Sequence, residues 1–115
     1  MKLENIFKRA ALISGISEDY LEENDLKDLH SRALAAINTV LFDLCREAEH
    51  QSILEQAAIS PDVCDAAVYG TAMFLSLAYG DTDKSALFSK IYSDKRAAAK
   101  SNVSAVCDVL PKTED

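Results

Sequence analysis

Residues that break helices are few in this chain. Its 115 residues include three glycines and two prolines, which leaves few sites for the turns that join many short strands. Alanine, the strongest helix former, occurs in clusters such as residues 97–99. With 49% hydrophobic and 27% charged residues, the composition is typical of a globular protein. We therefore predict one all-α domain over residues 1–115, an irregular bundle of three to four helices with its ordered core at about residues 3–101.

Residue sets suited to catalysis or metal binding are also scarce. The three cysteines are far apart, and Cys45 lies near His50 without a further histidine or cysteine at ligand spacing. Gly80–Ser85 begins like a calcium loop, but Ala86 and Tyr92 stand where that loop needs glycine and glutamate. No glycine-rich phosphate loop or nucleophile motif is present. We expect no enzymatic activity, no cofactor and no metal.

Positive charge is in the minority. Twelve Lys and Arg residues stand against 19 Asp and Glu residues, which gives a net charge of −7. A protein that reads a nucleic-acid sequence needs a basic face to neutralise phosphates, so this composition argues against that class. The locally basic segment 84–100 is interpreted as a solvated helix face, with cations near the end that the helix dipole favours.

Long hydrophobic runs are absent from the sequence. The longest, Ala72–Tyr79, is interrupted by Ser76 and is far shorter than the roughly 20 residues that a membrane-spanning helix needs. The first residues do not resemble a signal peptide, and the number of cysteines is odd. We therefore expect free thiols in a reducing cytoplasm and no membrane insertion.

Apolar residues recur at helical spacing in four stretches. These predict helices at Leu3–Ser14, Leu26–Glu49, Pro61–Tyr79 and Asp83–Ser101. The third is apolar on nearly every side and should lie at the centre of the bundle. Gly70 inside it costs about 1 kcal/mol relative to alanine, so we expect another helix to approach closely there.

The fourth helix and two irregular segments complete the prediction. We expect the fourth helix to face the core with Ala86, Leu87, Ile91 and Ala98, with Phe88 and Tyr92 beside this stripe. The segment His50–Ser60 fits either a helix or an extended arm, and we expect a mobile arm between helices. Residues 102–115 are expected to form a flexible C-terminal tail with a short docking segment.

Aromatic residues concentrate in Ala66–Lys100, which holds five of the eight in the chain. The same stretch resembles the head-tail connector (adaptor) proteins of long-tailed bacteriophages. The resemblance lies in Tyr69-Gly70-Thr71-Ala72 within an apolar helix, the turn Ala78-Tyr79-Gly80-Asp81, and Phe88 and Ile91-Tyr92 ahead of Lys95-Arg96. Ile6–Gly15 and Arg32–Leu44 are similar to the first two helices of that family. One departure is Ala67-Val68, where the family pattern has Leu-Pro.

The resemblance implies a structural role in the virion. Roughly a dozen copies would form a ring beneath the portal vertex, extend the DNA channel and join head to tail. The implied partners are other copies of the chain, the portal protein and the next head-completion or tail protein. DNA would pass without specific binding, which suits an acidic chain. The location would be the head-tail junction, and the host bacterial cytoplasm during assembly.

The apolar content is generous for a lone monomer of this size, which favours self-association. We expect the outer side of the second helix to contact the fourth helix of the next copy. The candidate interface residues are Leu87, Phe88, Ile91 and Tyr92. Two other functions fit the same sequence: a small acidic helical regulatory or adaptor protein that binds a protein partner as a monomer or dimer, and a helical nucleotide- or DNA-binding regulator.

Overall fold

Helices account for most of the chain. The computed structural model describes residues 1–17, 20–21, 27–46 and 48–109, with side chains up to Ser101. Its elements are α1 (Leu3–Ile13), α2 (Lys27–Cys45), α3 (Pro61–Ala78) and α4 (Thr82–Val109). Within these described ranges there is no β-strand, although an isolated bridge pairs Lys2 with Gln56. The predicted all-α bundle is confirmed.

Local sequence signals set the ends of α1 and α3. Gly15 after α1 and Gly80 after α3 have φ angles of 96° and 78°, a left-handed conformation that favours glycine. At the start of α3 the Ser60 hydroxyl accepts a hydrogen bond from the Val63 amide at 3.3 Å, and Pro61 takes the first helical position. Both helices therefore begin at the predicted residue and end one residue earlier than predicted.

Two other helix ends differ from the prediction. Helix α2 ends at Cys45 rather than Glu49, because Arg46 adopts a φ of 56°, which interrupts the helical backbone. Helix α4 continues past the predicted end at Ser101 to Val109. No glycine or proline occurs between residues 82 and 109, so no helix-breaking residue interrupts the backbone hydrogen bonds of α4. The last six residues, 110–115, lie outside the described residues, and the flexible tail stays a prediction.

Helix α3 lies at the centre of the bundle, as its sequence predicts. It packs against α1, α2 and α4. At Gly70 the neighbouring helices come so close that an added Cβ would lie 2.9 Å from Val40 Cγ2 of α2 and 2.9 Å from Tyr92 Cε1 of α4. The expected close approach is confirmed, because a side chain at this position would collide with both neighbours.

The loop between α2 and α3 is anchored to the bundle. The Leu3 amide donates to the Glu55 carbonyl at 3.0 Å, and the Ala57 amide donates to the Met1 carbonyl at 2.8 Å. The Ala57 side chain is buried. The segment His50–Ser60 is therefore a loop rather than a helix, and it is hydrogen-bonded to the start of its own α1. The expected mobility of this arm stays a prediction.

Helix α4 turns a partly polar face toward the bundle. Phe88 and Ala99 are buried, and the half-buried residues on this face are Ile91, Tyr92, Lys95, Arg96 and Lys100. The predicted inner stripe is wrong at Ala86, Leu87 and Ala98, which are exposed. The reason is that carboxylates on the neighbouring helices accept hydrogen bonds from α4, so polar side chains occupy positions that apolar periodicity assigns to the surface.

Candidate functional site

A polar seam joins α2 to α4, and we define it by Asp43, Tyr92, Arg96 and Lys100. The Tyr92 hydroxyl donates to the Asp43 carboxylate at 2.8 Å, and Arg96 donates to both carboxylate oxygens, at 2.5 and 3.0 Å. The Lys100 ammonium donates to the Asp43 backbone carbonyl at 2.9 Å. Three side chains of α4 thus converge on one residue of α2, and the bidentate guanidinium geometry fixes the relative position of the two helices.

This arrangement changes the acidity of the seam. The hydrogen bond from Arg96, together with that from Tyr92, lowers the pKa of Asp43 to about 2. Burial and then the hydrogen bond to Asp43 raise the pKa of Tyr92. The carboxylate therefore stays ionised and the phenol stays protonated at neutral pH, so neither group is poised for proton transfer. The seam is suited to holding helices together.

A second charged cluster joins α4 to α3 and α1. The Lys95 ammonium donates to the Asp65 carboxylate and lies 5.3 Å from the centre of the Tyr69 ring. The Arg9 guanidinium of α1 lies 3.6 Å from the same carboxylate. The hydrogen bond to Asp65 raises the pKa of Lys95. The acidic residue on the central helix therefore ties together basic side chains from α1 and α4.

The motif residues of the connector resemblance lie in two separate places. Tyr69, Gly70 and Ala72 are in the middle of α3, where the Tyr69 ring lies 6.1 Å from that of Phe88. Tyr79, Gly80 and Asp81 form the turn at the end of α3, where an Asp81 carboxylate oxygen accepts the Lys84 amide at 3.0 Å and caps α4. The first group packs helices together, while the Tyr79 side chain is 56% exposed.

The four candidate interface residues do not share an exposed surface. Phe88 is buried within the protomer, and Tyr92 belongs to the polar seam. Ile91 is half-buried against the core. Leu87 is 55% exposed and is therefore the member of the set that is most available to another molecule.

Several exposed apolar side chains lie outside the four candidate interface residues. Phe42 of α2 is 53% exposed, with the Arg46 guanidinium 4.9 Å from its ring centre. On α3, Phe74 and Leu77 are 37% and 55% exposed, and their spacing of three residues places them side by side on the helix. The apolar character of α3 on nearly every side could have indicated the exposure of Phe74 and Leu77. The neighbouring helices of the protomer do not cover all of the apolar surface of α3.

A groove opens where α1 and α3 end and α4 begins. We call it the end groove; its volume is about 460 Å³, and it is lined by Ser14, Gly15, Ile16, Ser17, Tyr20, Ser76, Tyr79 and Asp81. The Lys84 ammonium donates to the Ser14 carbonyl at 3.1 Å and links α4 to the end of α1. The hydroxyl of Ser76 is buried and has no hydrogen-bond partner within the part of the chain that the structure describes.

Chemistry beyond packing finds little support in the described residues. They contain no group of three or more His, Cys, Asp and Glu side chains that could hold a metal ion. Burial raises the pKa of the Cys64 thiol, which disfavours the reactive thiolate. No described helix is long and apolar enough to cross a membrane.

The geometry therefore presents a helical bundle with charged contacts between its helices, several exposed apolar side chains and a groove at one end. Comparison with protein-family models, with curated proteins and with solved structures found no match to this chain.

Proposed function

We propose that this chain is a structural subunit that assembles into a ring beneath the portal of a long-tailed bacteriophage and joins head to tail. The sequence resemblance over about Ile6–Lys100 supports this role, and so does the helical bundle on which its motif residues lie. The proposed partners are other copies of the chain, the portal protein and the next head-completion or tail protein.

The observation that carries the proposal is apolar surface left uncovered by the protomer. Large apolar side chains of α2, α3 and α4 are each more than one-third exposed: Phe42, Phe74, Leu77 and Leu87. Contact with other copies would remove this area from water, which would stabilise the assembly by about 25 cal/mol per Å² of apolar surface buried. We place the lateral contact between the outer side of α2, at Phe42, and the outer side of α4, at Leu87, of the next copy.

The proposed mechanism is geometric rather than chemical. Each lateral contact is small and weak, but a ring on the portal holds many such contacts at high effective concentration, and this makes the assembly stable. The net charge of −7 suits a channel through which DNA slides, since like charge disfavours adhesion to the wall. A basic surface lining the channel in the assembled ring would contradict this part of the proposal.

A second candidate function is supported by the end groove. A small acidic adaptor that binds a partner protein as a monomer or dimer would need such a concave, partly apolar site. This candidate predicts a fixed low mass at all concentrations and binding of a partner segment without any dependence on a portal.

The mass of the purified protein across concentration, with and without a portal ring, tests the two functions. A closed species of roughly a dozen subunits supports the ring, and a dimer independent of concentration supports the adaptor. In the ring, Phe42→Asp and Leu87→Asp should each abolish the large species. Leu54→Asp is the matched control, because Leu54 is 69% exposed and belongs to the loop after α2 rather than to either helix of the proposed contact. A loss of assembly that is equal in all three variants would contradict the proposed interface.

A further inference from the structure

Helix α4 is longer than the helix against which it packs. Contacts between the two helices set an antiparallel register, with the pairs Ser85–Met73, Phe88–Tyr69, Tyr92–Gly70 and Lys95–Asp65. By that register Pro61, the first residue of α3, lies level with about Ala99 on α4. Because α4 continues to Val109, it reaches about 15 Å beyond the start of α3 at 1.5 Å per residue.

The projecting part differs in composition from the rest of the helix. We call residues 102–109 the α4 extension. It holds three valines and one charged residue, Asp108, whereas residues 83–100 hold seven charged residues. Val103 and Val106 continue the helical register of Ala99, which is buried in the core. Valine is a weak helix former, so burial against another surface would stabilise this apolar, β-branched segment.

The end groove lies at the opposite end of the same helix. Helix α4 begins at Thr82, directly after Asp81 of the groove lining. Its 28 residues separate the groove from the far end of the extension by about 42 Å. A continuous helix cannot fold back on itself, so the extension cannot enter the groove of its own protomer. A second copy can supply both surfaces.

We infer that the α4 extension of one copy docks in the end groove of the next copy, head to tail. The groove offers apolar contact at Ile16 and Tyr79. Such a contact uses different surfaces on its two partners, so it repeats from copy to copy and either closes a ring or forms a filament. The inference rests on the proposed self-assembly and specifies one of its contacts.

A thiol cross-link tests this contact directly, because Cys107 lies within the extension. A chain carrying Ser17→Cys and Cys107→Ser has a thiol at the groove and none in the extension. Mixed with the native chain under mild oxidation, it should give a disulfide-linked dimer, and peptide mapping should place the link between position 17 and Cys107. No mixed dimer would overturn the inference. In a chain that carries Ser17→Cys together with native Cys107, a link within a single chain would also overturn it.

Two variants of the extension provide the matched comparison. Val106→Asp in the native partner should lower the yield of the mixed dimer at least tenfold. Ser104→Asp adds the same charge about 200° away on the helix and should leave the yield unchanged. Equal loss in both variants would overturn the inference. If Leu87→Asp abolishes the ring while no cross-link forms, this inference fails and the proposed function stands; if the cross-link forms without any ring, the proposed function fails instead.

Discussion

Alanine substitution of two adjacent residues of α4 should affect different properties, the stability of the protomer at Phe88 and assembly at Leu87. Phe88 is 6% exposed and packs against Tyr69 of α3, whereas Leu87 is 55% exposed. Phe88→Ala removes a buried ring and leaves a cavity at the α3–α4 contact. Leu87→Ala shortens a side chain that touches solvent in the isolated protomer. The pair therefore separates a role in the core from a role in an interface.

The magnitude follows from burial. A buried Phe→Ala change costs about 3–5 kcal/mol. We expect about 3 kcal/mol for Phe88, since α4 is an outer helix whose neighbours can partly close the cavity. For a domain of this size that corresponds to a fall in melting temperature of roughly 12 °C. Leu87→Ala should change the free energy of unfolding by less than about 0.5 kcal/mol, but it should weaken assembly.

Urea unfolding followed by circular dichroism, at a concentration where the protein is monomeric, measures the free energy of unfolding. Mass measurement at high concentration reports the extent of assembly. Ser89→Ala serves as a control for the helix itself, because Ser89 is exposed beside Phe88. A cost below about 1 kcal/mol for Phe88→Ala, or an equal cost for Leu87→Ala, would refute the assignment of the inner face of α4.

Three further predictions concern the packing of the helices. The pKa of Asp43 in the folded protein, about 2, is below its ordinary value of 3.8. The ionised carboxylate therefore contributes its full stabilisation above about pH 4, and this contribution is lost as the pH falls through about 2. The free energy of unfolding of the native protein and that of Asp43→Asn should depend differently on pH in this range. Gly70→Ala should destabilise the protein by about 1 kcal/mol, since overpacking costs about 1–3 kcal/mol and this exceeds the gain in helix propensity. Adding Val40→Ala to this variant should make room for the new methyl group at the contact with α2, without restoring full stability in thermal melts. Ser60→Ala should cost about 1 kcal/mol through loss of the α3 cap, while the exposed Ser93→Ala should cost less than half of that in the same melts.

Some of the fold could be predicted because its signals are local. Ser60-Pro61 begins α3, and glycines follow the ends of α1 and α3, since capping and left-handed backbone depend on residues next to each other in the chain. The central position of α3 also follows from its own composition, because a helix that is apolar on nearly every side has to be surrounded. The close approach at Gly70 was predictable because a glycine inside a helix costs about 1 kcal/mol relative to alanine, and close packing compensates for that cost.

The inner face of α4 could not be predicted in this way. Lys95, Arg96 and Tyr92 point toward the bundle because Asp43 and Asp65, distant in sequence, accept their hydrogen bonds. Periodicity counts apolar residues and therefore assigned Leu87 to the core and Lys95 and Arg96 to the surface. Phe88 and Tyr92, two of the four candidate interface residues, make contacts within the protomer, and the interface itself stays a prediction.

The amino-acid sequence by itself determined the helical class, the starts of α1 and α3 and the burial of α3, since these depend on backbone preference and on the composition of single segments. The tertiary structure alone decided which face of α4 is buried, that the loop after α2 is tied to the start of α1, and where apolar surface remains exposed. Each of these depends on contacts between residues far apart in the chain, and such contacts form only once the helices have packed together.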